Sequence, residues 1–151
     1  MSDVYVYDKA KYHQESIDEY GLPIEHTYNH TLPILRWFIE NNLMSNFFNE
    51  ECAQELQKYS ENKISIQDIY EWWDCCLISD MVAEEGNKFG QYYFDFENGK
   101  YISDYSQELK GELPTELHVK YSEENYQKIK SIIDKRYKAW KKPKPWWLFW
   151  H

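Results

Sequence analysis

Cysteine is scarce in this chain: Cys52, Cys75 and Cys76 are an odd count, and two of them are adjacent. That excludes a disulfide framework and suits a reducing cytosol. The adjacent pair also lacks the two-residue spacer of a redox or zinc motif, so it reads as packing. No glycine-rich phosphate loop and no nucleophile elbow occur, which leaves no phosphate-cradling or serine-hydrolase signature. The first residues, MSDVYVYDKAKYH, carry no apolar signal core, so export is not expected. Internal repeats and low-complexity runs are missing as well. No apolar run is long enough for a bilayer: the most apolar stretch, Thr31–Met44, has 14 residues and carries charge.

That stretch, TLPILRWFIENNLM, organises the rest. Leu32, Ile34, Leu35, Trp37, Phe38, Ile39 and Leu43 leave only Arg36, Glu40, Asn41 and Asn42 as polar positions. A helix apolar nearly all round is buried by neighbours on several sides. It is expected to begin near Pro23, with Pro33 inside it removing one hydrogen bond and bending it. Trp37, Phe38 and Ile39 are expected among the most buried residues.

The chain is 151 residues long, enough for one domain over 1–151. Hydrophobic residues make up 42% and aromatics 19%, which argues against disorder despite a net charge of −9. Residues 1–22 have little regular period, with Val4–Tyr7 as a short strand candidate and Gly21-Leu22-Pro23 as a turn signal. Ser45 caps a helix to about Tyr59, striped by Phe48, Cys52, Leu56 and Tyr59. Ser65 caps the next, with Asp68 completing a variant capping box and Ile64 and Ile69 placed as a staple. Ile69, Trp72, Trp73, Cys76 and Leu77 continue the same helical stripe.

Ser79 or Asp80 starts a fourth helix, with Val82, Phe89 and Tyr93 inward. In it, Gly86 and Gly90 permit close backbone approach. Asn98-Gly99 fits either a hairpin turn or a helix cap; the cap is preferred, followed by a short helix over Ile102–Leu109. Leu117–Val119 lies in a loop or short strand. Ser122 caps the last long helix, whose Glu123 and Glu124 begin it and Lys138, Lys141 and Lys142 end it, complementing the helix dipole. Residues 143–151 form an aromatic tail, PKPWWLFWH. Its Lys–Trp interleaving suits a membrane interface or stacking on nucleic acid. Packing of Trp146, Trp147 and Trp150 on the body is favoured, because leaving such rings wet is costly. The fold class is therefore mainly α: a single-domain bundle of about five to six helices, with room for one minor β-hairpin.

Charge is unevenly divided. Residues 1–115 carry 22 acidic and eight basic groups, a balance of −14, whereas 116–151 carry four against nine. An acidic body repels nucleic acid and suits a basic partner. Asp68, Glu71 and Asp74 are candidates for an exposed edge, and Asp80, Glu84 and Glu85 open the next helix. Asp80, Glu84, Glu85 and Asp95 were they to converge could serve acid–base or metal chemistry, but a solvated face is the simpler reading. His26 and His30 stand at i, i+4, the spacing of helical zinc ligands, yet Glu25 precedes the pair where the metalloprotease pattern needs a Glu between them. His13 and His118 join them only if folding brings them together. No catalytic, cofactor or metal role is therefore assigned from residues alone.

The sequence resembles an uncharacterised family of small acidic bacterial proteins. The likeness rests on Tyr7–His13, on His30…Trp37…Asn42-Leu43, on Glu85-Gly86-Asn87 with Phe89 and Tyr92-Tyr93, and on Tyr101…Asp104-Tyr105. It continues through Asn125-Tyr126…Ile133–Arg136 to Lys144-Pro145-Trp146-Trp147. In size and charge its members resemble immunity proteins of toxin systems. The resemblance and the charge together imply a cytoplasmic immunity protein that binds and neutralises a cognate, basic toxin domain. Asp68, Glu71, Asp74, Asp80, Glu84 and Glu85 would form the contact, with no cofactor, nucleic acid or membrane involved. The alternative is a small metal-binding protein or enzyme using His13, His26, His30 and nearby carboxylates, or a house-keeping adaptor.

Overall fold

The computed structural model describes residues 3–143. The chain runs β1 (Val6–Lys9), a 3-10 turn (Ala10–His13), α1 (Gln14–Tyr20), a second 3-10 turn (Ile24–Thr27) and α2 (Leu32–Glu40). It continues with α3 (Asn46–Glu51), α4 (Ala53–Ser60), α5 (Ile66–Trp72), β2 (Cys76–Ile78) and α6 (Glu84–Tyr93). Last come α7 (Tyr101–Tyr105), which leads into a π-turn (Ser106–Lys110), a 3-10 turn (Glu116–His118) and α8 (Glu123–Lys141). Among the described residues 64% are helical, so the fold is mainly α with one small two-stranded antiparallel sheet.

Helix α2 is the core element, as its composition implies. Leu32, Pro33, Ile34, Leu35, Trp37 and Phe38 are all buried, while Ile39 is only half-buried, contrary to the expectation for it. The long kinked helix from Pro23 does not form. Tyr28 breaks the chain at φ −134°, ψ 0°, and α2 starts afresh with Pro33 in its first turn. There the missing N–H costs nothing, because first-turn N–H groups have no partner inside the helix. Trp37 sits among Phe38, Phe89, Phe94 and Tyr137 at ring-centroid distances of 5.0–6.0 Å. Its indole N–H donates to Asp134 of α8 at 2.8 Å. The phenol of Tyr126, also on α8, donates to Glu40. Arg36 bridges the same two helices, bonding both carboxylate oxygens of Glu123 at 2.7 and 3.1 Å. Further along α8, Arg136 forks onto the buried carboxylate of Asp104, which also accepts the Tyr93 phenol.

The expected caps at Ser45, Ser65 and Ser122 all form: each hydroxyl accepts the backbone N–H three residues on. Elsewhere tertiary structure overrides local pattern. The Ser45 helix divides at Cys52 into α3 and α4, although its stripe still packs inward at Phe48 and Cys52. The Ser65 helix stops at Trp72, because Asp74 and Cys75 take left-handed φ values of 56° and 55°. Cys76 and Leu77 then enter β2, and Trp72 is left 43% exposed. Residues 79–81 form a 3-10 turn, and the fourth helix begins only at Glu84. Asn98-Gly99 makes neither a hairpin turn nor a helix cap: α6 already ends at its C-cap Phe94, and the pair lies in the turn before α7, which with the π-turn supplies the short helix expected over Ile102–Leu109. Leu117 and His118 lie in a 3-10 turn. The tail expectation for Trp146, Trp147 and Trp150 lies outside the described residues.

The sheet joins strands distant in sequence. Val6 faces Ile78, Asp8 faces Leu77 and Lys9 faces Cys76, with an irregularity between Val6 and Asp8. Successive residues of a regular strand point to opposite faces. Here the irregularity lets both Tyr7 and Asp8 be buried, at 4% and 2% exposure. Tyr7 passes so close to α6 that a Cβ at Gly90 would lie 2.6 Å from its hydroxyl and 3.0 Å from Phe38.

Two stability measurements follow from this packing. Trp37→Ala should lower the unfolding free energy in urea by about 3–5 kcal/mol, as large aromatic deletions from cores do. Gly90→Ala, although it adds only a methyl, should cost about 1–3 kcal/mol by overpacking against Tyr7 and Phe38. A loss under about 0.5 kcal/mol for either would contradict the central place given to α2.

Candidate functional site

The six acidic candidates are all exposed, but they are not equivalent. Asp68 is committed to the cap of α5, where it accepts the Ser65 backbone N–H at 2.9 Å. Glu71 accepts the Tyr28 phenol at 2.9 Å and a Gln67 amide N–H at 3.2 Å. Glu85 accepts the Tyr137 phenol and lies 3.9 Å from Lys141. Glu84 is 3.4 Å from Lys88 on its own helix, a solvated pair of small energetic weight. Asp74 occupies the left-handed turn after α5, and Asp80 lies in the 3-10 turn before α6. Glu71 and Glu85 are thus tied to different parts of the body, one to Tyr28 and the other to α8. Asp74, Asp80 and Glu84 keep their carboxylates clear of the core.

The histidines rearrange more. His26 and His30 stand on either side of the break at Tyr28, so they share no helix face. His26 donates through Nδ1 to the Leu117 carbonyl at 2.6 Å and pins the two loops together. His118 meets Thr115 at 2.9 Å and packs its ring against Tyr20. Neither joins a site. His13 and His30, by contrast, meet edge to face with ring centroids 4.5 Å apart.

What draws them together is Asp8. Its Oδ1 lies 2.8 Å from His13 Nε2, and its Oδ2 lies 3.1 Å from His30 Nε2. Oδ2 also accepts the Thr31 hydroxyl at 2.6 Å. Thr31 stands at the N-cap of α2, yet its side chain makes no capping bond. A local stabilisation typically worth about 1 kcal/mol is forgone so that this hydroxyl can hold a buried carboxylate. The backbone at His30 is fixed as well, because the buried Tyr101 phenol donates to its carbonyl at 2.7 Å. The three elements that deliver Asp8, His13 and His30 are β1, the 3-10 turn after it and the turn before α2.

Burial alone would raise the Asp8 pKa, but the two imidazoles against it outweigh that and hold it at about 2. Asp8 is therefore a carboxylate at neutral pH. His30 is the anomaly. Its side chain is 2% exposed and close to Asp8, yet neither ring nitrogen has a hydrogen-bond partner among the described residues. One donor atom from each of Asp8, His13 and His30 lies within 4.8 Å of the other two. Among the described residues, these three donors are the group that could hold a metal ion. Beside them opens a cavity of about 300 Å³, lined by His13 and His30 together with Ser16, Phe96, Ile102, Glu116 and Leu117. A larger groove, about 760 Å³, runs along the end of α8 past Lys135, Tyr137, Lys138 and Lys141. It gathers cations, whereas the smaller cavity is the one where metal-ligating donors converge.

A family model, Domain of unknown function (DUF7832), matches residues 6–119. The chain belongs to this family. The matched region holds Asp8, His13, His30 and all six acidic candidates, and it ends before α8 begins. No curated protein and no solved structure matches the chain. Among the described residues, no helix is long and apolar enough to cross a membrane.

The position of Thr31 can be tested by itself. Thr31→Val keeps the side chain's shape and removes the donor to a buried carboxylate. A hydrogen bond to a charged group contributes roughly 1.5–3 kcal/mol, and urea unfolding should register a loss of that size. A change within about 0.5 kcal/mol would mean that Thr31 does not hold Asp8.

Proposed function

We propose that this DUF7832 protein is a cytoplasmic immunity protein, which binds a basic toxin domain and blocks it without chemistry of its own. The observation that supports this reading is the charge: a balance of −14 over residues 1–115, with the six candidate acids all at the surface. Potentials of this kind steer an oppositely charged partner and raise its association rate by about 10–1000-fold. Toxins that act on nucleic acid carry basic clefts, so an acidic face both attracts them and competes for the surface they use. Asp74, Asp80 and Glu84 are the acids best placed to make such contacts, because their carboxylates do no work inside the fold. Asp68, Glu71 and Glu85 contribute to the field while serving their own caps and phenols.

The test is co-expression with the product of the adjacent upstream gene, followed by binding kinetics. The wild-type protein should protect cells that the neighbour alone kills. Asp74→Asn, Asp80→Lys and Glu84→Lys in one chain should keep the circular dichroism spectrum and slow association at least about tenfold at low salt. Asn is chosen at position 74 because it accepts the left-handed turn. The deficit should shrink as ionic strength rises and the Debye length falls from about 30 Å at 0.01 M to about 8 Å at 0.15 M. A harmless neighbour, or one that binds both forms equally fast, would sink the immunity reading.

A further inference from the structure

We propose that Asp8, His13 and His30 form a binding site for a divalent transition-metal ion of the zinc type. The proposal concerns residues that take no part in the acidic contact surface, and it stands or falls apart from the immunity reading.

The geometry is that of a site needing little adjustment. Zinc binds imidazole nitrogen and carboxylate oxygen at about 2.0–2.2 Å, which sets neighbouring donors about 3–3.5 Å apart. Asp8 Oδ1 and His13 Nε2 are 2.8 Å apart, and Asp8 Oδ2 and His30 Nε2 are 3.1 Å apart. All three ligand atoms already lie within 4.8 Å of one another. His13, the ligand at the edge with a side chain 20% exposed, is the one free to close the remaining gap. Two imidazoles and one carboxylate are donors suited to zinc and iron(II) and poor for calcium or magnesium, which favour all-oxygen shells.

An ordinary ion pair accounts for only part of the cluster. Asp8 paired with His13 satisfies both of those groups, and Thr31 supplies a further donor. His30 is held less well: its Nε2 lies 3.1 Å from Asp8 Oδ2 without making a hydrogen bond, and its buried Nδ1 has no hydrogen-bond partner among the described residues. A buried polar nitrogen without a hydrogen bond is costly, and His30 Nε2 stands beside a carboxylate oxygen at the separation that two ligands of one cation adopt. A cation at the convergence of the three donors would coordinate His30 Nε2, replace the proton at His13 Nε2 and neutralise the carboxylate. Thr31 then takes the part of an outer partner that orients a ligating carboxylate.

Three protein ligands leave at least one coordination position free. Since His13 and His30 line the cavity of about 300 Å³, that position adjoins it. A small ligand entering there would meet Ser16, Glu116 and the ring of Phe96.

The experiment uses the full chain, stripped with chelator and titrated with zinc chloride and, separately, cobalt chloride. One zinc per chain should bind, and excess zinc should raise the melting temperature by several degrees, since a ligand that binds only the folded state stabilises it. Cobalt should give a visible d–d band without thiolate charge-transfer absorption, which separates this site from Cys75 and Cys76. His13→Ala removes the edge ligand and should weaken zinc at least about tenfold, whereas His26→Ala and His118→Ala should leave affinity unchanged. If His13→Ala fails to fold, the wild-type cobalt spectrum and the two control variants decide the matter alone. An unchanged melting temperature with no zinc uptake overturns the proposal. So does binding that His13→Ala leaves intact in a folded protein, or binding lost in either control.

Discussion

Helix α2 has almost no face to give to water, and the remaining elements are arranged by the need to cover it. Trp37 and Phe38 are fully buried from one end of the helix, Ile34 and Leu35 from the other. Coverage on one side comes from α8, whose Asp134 takes the Trp37 indole N–H and whose Tyr126 reaches Glu40. On another it comes from α6, where Phe89 meets Trp37 and Gly90 admits Tyr7 and Phe38. Such a helix must also bury its own N-terminus, with the polar groups found there. The solution adopted is to bring a strand beside it and insert a carboxylate, so that Thr31 has an acceptor. A carboxylate near a helix N-terminus also benefits from the positive end of the dipole. The cluster of Asp8, His13 and His30 is thus a consequence of how the core helix is closed off.

What was legible in the residues, and what was not, divides by the range of the interaction. Serine caps act over three residues, so Ser45, Ser65 and Ser122 could be read directly. The charged ends of α8 are equally local. The interior of α2 could be read from composition alone, since so narrow a polar strip has one physical meaning. Boundaries set by tertiary contacts could not. Nothing within the run from Ile69 to Leu77 forbids one continuous helix. It ends because Leu77 is needed opposite Asp8 in the sheet, and two left-handed residues make the turn. Pro33 misled for a related reason: a proline is tolerated both within a bent helix and in a first turn. Only the preceding residues, folded back as a 3-10 turn, decide between them.

The site was the least legible part. The i, i+4 spacing of His26 and His30 is a genuine helical signal, but it presupposes a helix that the break at Tyr28 prevents. His13 was visible as a candidate, and its true partner was the other member of the pair. Asp8 had no signal of its own. It looks like one more acid in an acidic chain, and its burial depends on an irregularity in a strand whose mate lies near the middle of the sequence. A threonine at an N-cap position that makes no cap is a cue only after the structure is known. Conflict between a local rule and the observed arrangement is common where a site has been built, and here the conflict falls on Thr31, beside the two histidines.

The acidic surface and the buried cluster act on different length scales, and the same net charge bears on both. A field spread over many exposed carboxylates reaches roughly a Debye length into solvent and is therefore sensitive to salt. It guides an encounter without selecting a geometry. The Asp8 cluster works at bonding distance, where screening matters little, and it selects by donor type and spacing. Asp8 stays ionised because two imidazoles and a hydroxyl are held against it. Their attraction has to exceed the penalty of burial. The body's negative potential would in turn draw small cations toward the chain, His13 and the cavity forming the open side through which one could reach the cluster. Three donors so placed would then hold an ion that the field merely concentrates.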